Sequence, residues 1–226
     1  MDGILLINKE QGWTSHDVVA KLRGILRMRQ IGHAGTLDPL ATGLLLLLLG
    51  RATKLSNQLM GLKKTYYAEV TLGAVSETYD GEGPIRPSEN LKQPTLAEVQ
   101  ETLKSFSGEI LQTPPAYSAK KLAGKKAYEL ARAGKEVKLE PSKITIYDIK
   151  DVEYQYPVLK LRVTCSKGTY LRSLAHDLGQ KLGVGGYLSA LVREQIGDYN
   201  VADALQIGQV LDAETVRQSK AFRPLN

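Results

Sequence analysis

GHAGTLDPLATGLLLLLLG, residues 32–50, decides the fold because it joins a glycine-rich loop to an uninterrupted apolar run. The run Leu44–Leu49 lies between two glycines, which favours a buried strand. Glycines in the loop allow turns and close backbone approaches that a Cβ would forbid, and Pro39 restricts Asp38 to extended geometry. The stretch therefore predicts a carboxylate held rigidly in a loop beside a buried strand.

Asp38 has two interpretations when its neighbours alone are considered. A carboxylate in a loop on a firm scaffold is typical of a catalytic or binding site. Aspartate is also a common turn residue, and Asp38 would then only cap the turn. The loop residues by themselves leave both interpretations open.

Composition limits the class of protein. With 226 residues and 42% hydrophobic content, the chain can bury one sizeable core, so one main domain is expected. Its 30 lysines and arginines against 24 aspartates and glutamates give a net charge of +6. This excess favours polyanionic partners such as nucleic acid, although many basic proteins bind none.

Cysteine content and hydropathy indicate the compartment. Cys165 is the only cysteine, so the sequence contains no intramolecular disulfide framework, and we expect a reducing, cytoplasmic location. The run Leu44–Leu49 is far shorter than the ~20 apolar residues that cross a bilayer. The N-terminus lacks the charged-then-apolar layout of a secretory signal, so neither a signal peptide nor a membrane span is expected.

Apolar residues at helical spacing predict a helix that starts with Ser15 as its N-cap and runs to about Met28. The opposite face of this helix carries Arg23 and Arg27. These cations fit either an ordinary solvated face or a surface that attracts phosphates.

Further along the chain, alternation predicts the strand Lys64–Gly73, with Tyr66 on its apolar side. The pair Thr95 and Glu98 forms a capping-box pattern, which predicts a helix start. The last residues, Ala221–Asn226, are predicted to be a loose terminus. Strands and helices intermix without a regular β-α-β rhythm, so the sequence predicts an α+β fold with a mixed, mostly antiparallel sheet flanked by helices.

Seven blocks resemble the motifs of the TruB family of tRNA pseudouridine synthases, in the order that the family shows. The resemblance covers about Gly3–Asp198 and places the family's catalytic aspartate on Asp38. A short aspartate-proline loop alone would be weak support, but seven ordered blocks are hard to obtain by chance. The blocks are INKEQGWTSHDVV, GHAGTLDPLATGLL, RATKL, KKTYYAEVTLG, ETYDGEG, SAKKLAGKKAYELARAG and CSKGTYLRSLAHDLG.

The resemblance implies the pseudouridine synthase fold and an isomerase that converts uridine to pseudouridine at position 55, in the T arm of tRNA. It implies a catalytic domain over residues 1–205, with an RNA-gripping insertion at about 118–140, and a tail over 206–226 without a C-terminal PUA domain. The partner is then tRNA, and we expect a monomer. Two alternatives stay open: a synthase for another structured RNA, and an RNA-binding folding helper with secondary catalysis.

The resemblance assigns the chemistry to Asp38. Its carboxylate would attack the anomeric carbon or the base, or abstract a ribose proton to give a glycal, and the sequence does not separate these routes. A carboxylate that stays ionised in a closed pocket needs a nearby cation, and the family pattern supplies Arg172. Without the resemblance, an arginine after a turn is more often a surface residue.

The resemblance also implies four residues that hold the substrate. Tyr66 would stack on the detached base and assist loss of its carbon 5 proton, although a core tyrosine suits the same strand position. His33 would fill the space that the extruded target base leaves, although a lone histidine in a loop is usually a surface residue. Tyr170 and Leu191 match further pocket positions of the family.

A basic cluster makes the insertion the candidate RNA-gripping segment. For any single cation, a solvated face is the alternative. The predicted RNA-binding set combines this cluster with the polar face of the first helix: Lys120, Lys121, Lys125, Lys126, Arg23 and Arg27.

The sequence gives no support for a cofactor or a metal. His16, His33 and His176 show no paired ligand spacing, and one cysteine cannot build a cysteine-rich site. The glycine-rich loop lacks the GK[ST] ending of a nucleotide-phosphate loop, and the GVGG segment lacks a following dinucleotide-binding unit. We therefore expect a cofactor-free and metal-free reaction, which suits an isomerisation.

Overall fold

The computed structural model of the chain describes residues 1–90, 92–118, 120–122, 124–135 and 137–225; the side chains of Lys121, Lys125, Lys126 and Arg132 lie outside this description. The chain forms two units. Unit 1 is built from both ends of the chain, Met1–Tyr67 and Leu191–Asn226, and unit 2 is the continuous segment Ala68–Ala190.

Strands and helices alternate irregularly along the described residues. The strands are β1 (Gly3–Lys9), β2 (Ile31–His33), β3 (Thr42–Leu49), β4 (Lys64–Leu72), β5 (Ala74–Ser76), β6 (Ile85–Pro87), β7 (Gly108–Gln112), β8 (Lys121–Leu122), β9 (Lys125–Lys126), β10 (Ser142–Gln155), β11 (Val158–Cys165), β12 (Gly186–Ile196), β13 (Tyr199–Asn200), β14 (Leu205–Gln206) and β15 (Phe222–Pro224). The α-helices are α1 (Ser15–Leu26), α2 (Ser56–Gly61), α3 (Leu96–Lys104), α4 (Ala127–Arg132), α5 (Leu171–Leu182) and α6 (Ala213–Gln218). Short 3-10 segments cover Gly50–Leu55, Val201–Asp203 and Ile207–Gln209.

The sheet of unit 1 is centred on β1 and β3. These strands pair antiparallel, from Gly3 opposite Leu49 to Lys9 opposite Gly43. The strand order is β14-β1-β3-β12, in which β12 runs parallel to β3 and β14 runs parallel to β1. Every leucine of Leu44–Leu49 is fully buried, which confirms the predicted strand.

Helix α1 packs its apolar face into the core of unit 1. Val18 and Leu22 lie in one buried cluster with the leucines of β1 and β3. The helix ends at Leu26, because Arg27 adopts the left-handed region at φ 50° and its N–H turns back to the last carbonyls. The predicted end at Met28 is therefore slightly too long.

The N-cap of α1 is Thr14. Its hydroxyl accepts the N–H of Asp17, and the Asp17 carboxylate accepts the N–H of Thr14, which together form a capping box. The prediction that Ser15 caps the helix is wrong. Thr14 has the extended backbone that a cap requires, whereas Ser15 is already helical and buried.

The C-terminal segment belongs to the core of unit 1. Strand β15 pairs antiparallel with the first residues of β1, and β14 pairs with a later part of the same strand. Val216 and Ala221 are fully buried, and the N–H of Leu225 donates to the Asp2 carbonyl. The prediction of a loose terminus is therefore wrong over the described residues 221–225, and residues 206–225 fold as part of unit 1.

In unit 2 the long strand β10 pairs antiparallel with β7 on one side and with β11 on the other. The order continues from β11 to β4, of which Ala68–Leu72 belong to this unit. Alternate residues of β4 and β11 are buried, as their period-two patterns predict.

Helices α3 and α5 supply the other half of the unit 2 core. Apolar side chains from both helices meet those of β4 and β11, including Leu103, Val163 and Leu174. Helix α3 begins at the predicted capping box of Thr95 and Glu98. Most paired strands are antiparallel and helices pack on them, so the predicted α+β class is confirmed.

In the part of the chain that the structure describes, no helix has the length and apolar character needed to cross a membrane.

Candidate active site

The backbone of the loop Gly35–Pro39, which carries Asp38, is fixed at every carbonyl. Each of these consecutive oxygens accepts a hydrogen bond from a different donor atom. The bonds run from Arg193 Nη2 to Gly35 (3.2 Å), Arg193 Nη1 to Thr36 (3.2 Å), the Ser15 hydroxyl to Leu37 (3.3 Å), the Ala41 N–H to Asp38 (3.1 Å) and the Gly12 N–H to Pro39 (2.9 Å). A backbone held at this many points gives the side chain of Asp38 a fixed origin.

Ser15 anchors the middle of this loop from the first turn of α1. Its Oγ accepts the N–H of Leu37 at 2.9 Å and donates to the carbonyl of the same residue. Both polar backbone groups of a buried residue are thereby satisfied. The serine is used to hold the loop, which explains why the neighbouring threonine caps the helix.

Arg193, on β12, is a residue that sequence reasoning missed. Its side chain is 1% exposed, and its Nε donates to the Leu44 carbonyl at 2.7 Å in addition to the two bonds to the loop. The parallel pairing of Arg193 with Gly43 brings β12 to the end of the loop. Gly43 has φ 98°, and a Cβ there would lie 2.4 Å from the Arg193 carbonyl oxygen, so only glycine fits this approach.

Four of the predicted site residues lie in unit 1. Asp38, His33 and Leu191 are partly exposed, so each offers atoms to a ligand. Tyr66 is 9% exposed and occupies the buried side of β4, which confirms its predicted orientation. Leu191 lies on β12, two residues before Arg193, so both side chains leave the strand on the same side.

The His33 imidazole is half-buried and packs edge-on against the exposed ring of His16, with 5.4 Å between ring centroids and an interplanar angle of 80°. Burial lowers the pKa of His33 below its ordinary value, and the neighbouring side chains of His16 and Arg193 lower it further. The ring is therefore neutral at pH 7 and keeps both a donor and an acceptor nitrogen.

Unit 2 contains Arg172, which forms a buried ion pair with Asp80. Arg172 Nη1 lies 3.2 Å from Asp80 Oδ2, and the two side chains are 8% and 2% exposed. The guanidinium also donates to the carbonyls of Thr78 and Tyr117, at 3.3 and 3.2 Å. Arg172 is thus held from three directions inside unit 2.

Asp80 is a second residue that sequence reasoning missed. Its Oδ1 accepts the hydroxyl of Thr78 and the N–H of Glu82, so the carboxylate is well satisfied. The available signal was its place in the ETYDGEG block, which carried family resemblance but received no role. The pairing of Asp38 with Arg172 stays a prediction.

Two further contacts fix the elements around Arg172. The side chain of Gln112 bonds to both the N–H and the carbonyl of Tyr170, at 2.9 and 3.0 Å, and so holds the residue that precedes α5. One turn after Arg172, the ring of His176 stacks on Tyr79, with 3.8 Å between centroids and 9° between planes. Burial lowers the pKa of His176 and raises the pKa of Tyr79.

The predicted RNA-binding cations differ in what they contact. Arg23 Nη2 donates to the Ile31 carbonyl at 2.7 Å, and Arg27 is exposed at the end of α1. Lys120 Nζ donates to the Glu140 carbonyl and the Ser142 hydroxyl, at 2.9 and 2.6 Å. The side chains of the other three predicted lysines, Lys121, Lys125 and Lys126, lie outside the described residues. Within the described residues, no three histidine, cysteine, aspartate or glutamate side chains gather into a metal site.

Comparison with known proteins identifies the class. The family model described as "TruB family pseudouridylate synthase (N terminal domain)" matches residues 23–171, and "tRNA pseudouridylate synthase B C-terminal domain" matches residues 172–225. These two matches place the chain in the pseudouridine synthase class of RNA-modifying isomerases.

Curated relatives agree over nearly the whole chain. A protein of Dehalococcoides mccartyi (strain CBDB1), named "tRNA pseudouridine synthase B", is 49% identical over 93% of this chain and 70% of its own length. A protein of Clostridium kluyveri with the same name is 46% identical over 96% of this chain and 74% of its own length. This chain belongs to the TruB family.

Solved structures support the fold. The chain resembles Cbf5 in "Crystal Structure of a Cbf5-Nop10-Gar1 Complex", with a TM-score of 0.74 and 27% identity over 98% of this chain and 60% of the solved chain. It also resembles "Crystal structure of the archaeal box H/ACA sRNP Nop10-Cbf5 complex", with a TM-score of 0.72 and 26% identity over 98% and 59%. The chain therefore spans about three fifths of those solved chains, and the predicted pseudouridine synthase fold is confirmed.

Proposed function

We propose that this chain converts uridine to pseudouridine at position 55 in the T arm of tRNA, with Asp38 as the catalytic carboxylate and with no cofactor. The observation that carries the proposal is the loop Gly35–Pro39, in which every carbonyl is bonded and a partly exposed aspartate follows from that fixed backbone. The name shared by the curated relatives supports tRNA as the substrate.

The reaction needs no group from outside the two molecules. The bond between ribose C1′ and base N1 breaks, a bond between C1′ and C5 forms, the C5 proton is lost, and N1 gains a proton. Atoms and charge balance without an oxidant or a reductant. Asp38 acts at the ribose or at the base through one of the three routes given above.

Arg172 is proposed as the counter-ion that keeps Asp38 ionised. The Asp80 pair and the two carbonyl bonds orient its guanidinium. Tyr170 is proposed to contact the substrate, as the family resemblance implies, and Gln112 fixes its backbone directly before α5.

Residues of unit 1 are proposed to hold the extruded uridine. Neutral His33 suits the space left in the RNA, because an uncharged ring both stacks and forms hydrogen bonds with bases. Tyr66 provides an aromatic face for the detached base, and Leu191 provides apolar contact.

RNA affinity is proposed to come from the net charge of +6 and from exposed cations such as Arg27. The other predicted phosphate contacts are Arg23 and Lys120, together with the lysines of the 121–126 segment. We propose that the protein acts as a monomer in the cytoplasm, where its tRNA substrate is found.

A tritium-release assay tests this function. A T-arm hairpin labelled with tritium at C5 of its uridines is incubated with the protein, and tritium released to water is measured. The matched control is the same labelled hairpin with cytidine at position 55. We expect release from the first RNA and none from the second. Release from both RNAs would contradict the position assignment, and tight binding without release would instead indicate a folding helper.

A further inference from the structure

Arg193 is fully buried, yet it forms no ion pair with any carboxylate among the described residues. A buried cation is costly unless its donors are satisfied. Here the guanidinium is satisfied by the backbone carbonyls of Gly35, Thr36 and Leu44. A hydrophobic residue would fill the same space without the cost of a charge, so the donors themselves are the reason for an arginine.

The three hydrogen bonds of the Arg193 guanidinium connect strand β3 to the loop that carries Asp38. Leu44 lies in the rigid, fully buried strand β3, whereas Gly35 and Thr36 lie in the loop, two and three residues before Asp38. The planar, rigid guanidinium of Arg193 therefore bonds the start of the loop and strand β3 at the same time, which fixes their relative position. Lysine has a single ammonium on a flexible stem and cannot reproduce this arrangement.

We infer that Arg193 is the positioning residue of Asp38: it fixes the backbone from which the catalytic carboxylate projects, and it does so without touching the substrate. This inference rests on the proposed role of Asp38. Misplacement of a reacting group by about 1 Å costs on the order of 100-fold in rate. Because Arg193 is 1% exposed, its replacement removes no side-chain atom that RNA could contact.

Arg193→Lys tests the inference because it keeps the positive charge. Single-turnover reactions with saturating enzyme over the labelled T-arm hairpin give the rate constant of the bound complex, and fluorescence anisotropy gives the Kd for the same RNA. We expect the rate constant to fall by about 10- to 100-fold, with Kd within about threefold of wild type.

A merely structural role would have a different signature. A partly unfolded variant lowers the concentration of competent enzyme and the melting temperature, but at saturation it leaves the rate constant of the bound complex unchanged. Val216→Ala is the matched control, because it removes buried contacts in α6 of the same unit and leaves the five hydrogen bonds to the loop carbonyls in place. It is expected to melt earlier and to keep the wild-type rate constant.

The outcomes are distinct. A rate constant for Arg193→Lys within twofold of wild type would overturn the inference, as would a loss confined to Kd. If Arg193→Lys is not folded at the assay temperature, Arg193→Gln, which keeps a planar donor group, is measured in the same two ways. Absence of tritium release by the wild-type protein would instead contradict the proposed function.

Discussion

Arg172 and Asp80 form an ion pair in the interior of unit 2, with 3.2 Å between Nη1 and Oδ2. Removing one partner of a buried pair leaves an uncompensated charge, which costs about 3–5 kcal/mol. We therefore expect Asp80→Asn to destabilise unit 2 by an amount of this order and to slow the reaction, because Arg172 loses the group that orients it. Native-state hydrogen exchange of the α5 amides measures the local loss.

Glu77→Gln is the matched control for Asp80→Asn. It breaks the exposed pair of Arg86 and Glu77, whose side chains are 73% and 52% exposed. Exposed pairs contribute about 0–1 kcal/mol, so the control is expected to leave exchange in α5 unchanged. Equal changes of α5 hydrogen exchange in the two variants would show that the buried Asp80 pair contributes no more to stability than the exposed pair.

Asp38→Asn is expected to lower turnover at least about 1,000-fold, which corresponds to about 4 kcal/mol of transition-state stabilisation. The amide is isosteric with the carboxylate but cannot supply its charge. RNA affinity is expected to stay within about threefold, because many cations and stacking groups share it. Asp148→Asn, the same chemical change at an exposed position of β10, is the control. Tritium release by Asp38→Asn at the wild-type rate would remove Asp38 from the mechanism.

Gly43→Ala is expected to destabilise unit 1, because φ 98° is strained for alanine and its Cβ would meet the Arg193 carbonyl. Backbone strain of this kind costs about 1–3 kcal/mol before the steric clash is counted. Fluorescence of Trp13, the only tryptophan, reports the unfolding of unit 1 in urea.

Gly24→Ala provides the opposite expectation within the same unit. Gly24 is helical in α1, and a Cβ there would meet no atom within 4 Å. Alanine favours the helix by up to about 1 kcal/mol over glycine, so the urea midpoint is expected to rise. A fall in the midpoint for both variants would mean that the two glycines are not distinguished by their surroundings.

Stability is expected to fall as pH falls through about 6.5, because burial lowers the pKa of His176 in the folded protein. Above that pH the imidazole is neutral in both states. Below it, the unfolded chain takes up the proton first, so acid favours unfolding. The raised pKa of Asp177 acts in the opposite direction, and comparison of wild type with His176→Gln cancels it. The variant is expected to lose less unfolding free energy than wild type between pH 7.5 and 5.5. Identical slopes of unfolding free energy against pH would contradict a lowered pKa of His176.

Local patterns account for the elements that the sequence predicted correctly. The Leu44–Leu49 strand, the alternation around Tyr66 and the Thr95 capping box each depend on residues close together in the chain. The choice between Thr14 and Ser15 as the cap of α1 could not be made in this way. Both are good capping residues, and the decision depends on Leu37, far along the sequence.

Arg193 and Asp80 were missed for the same physical reason. A charged residue in a strand or a turn is expected to be exposed to solvent. Whether it is buried depends on partners that are far away in the sequence. For Arg193 those partners are loop carbonyls, which carry no side-chain signature. The strand around Phe222 could not be predicted from neighbouring residues either, because it pairs with the first strand of the chain.

The division of unit 1 between the two ends of the chain has a consequence for biosynthesis. The ribosome releases the loop of Asp38 and strand β3 early, then the whole of unit 2, and only afterwards the β12 segment that carries Arg193. A nascent chain therefore contains Asp38, the proposed catalytic residue, before it contains the arginine that bonds to its loop. We expect the chain to modify RNA only after β12 has been synthesised. A nascent chain that ends before β12 is therefore expected to be catalytically inactive.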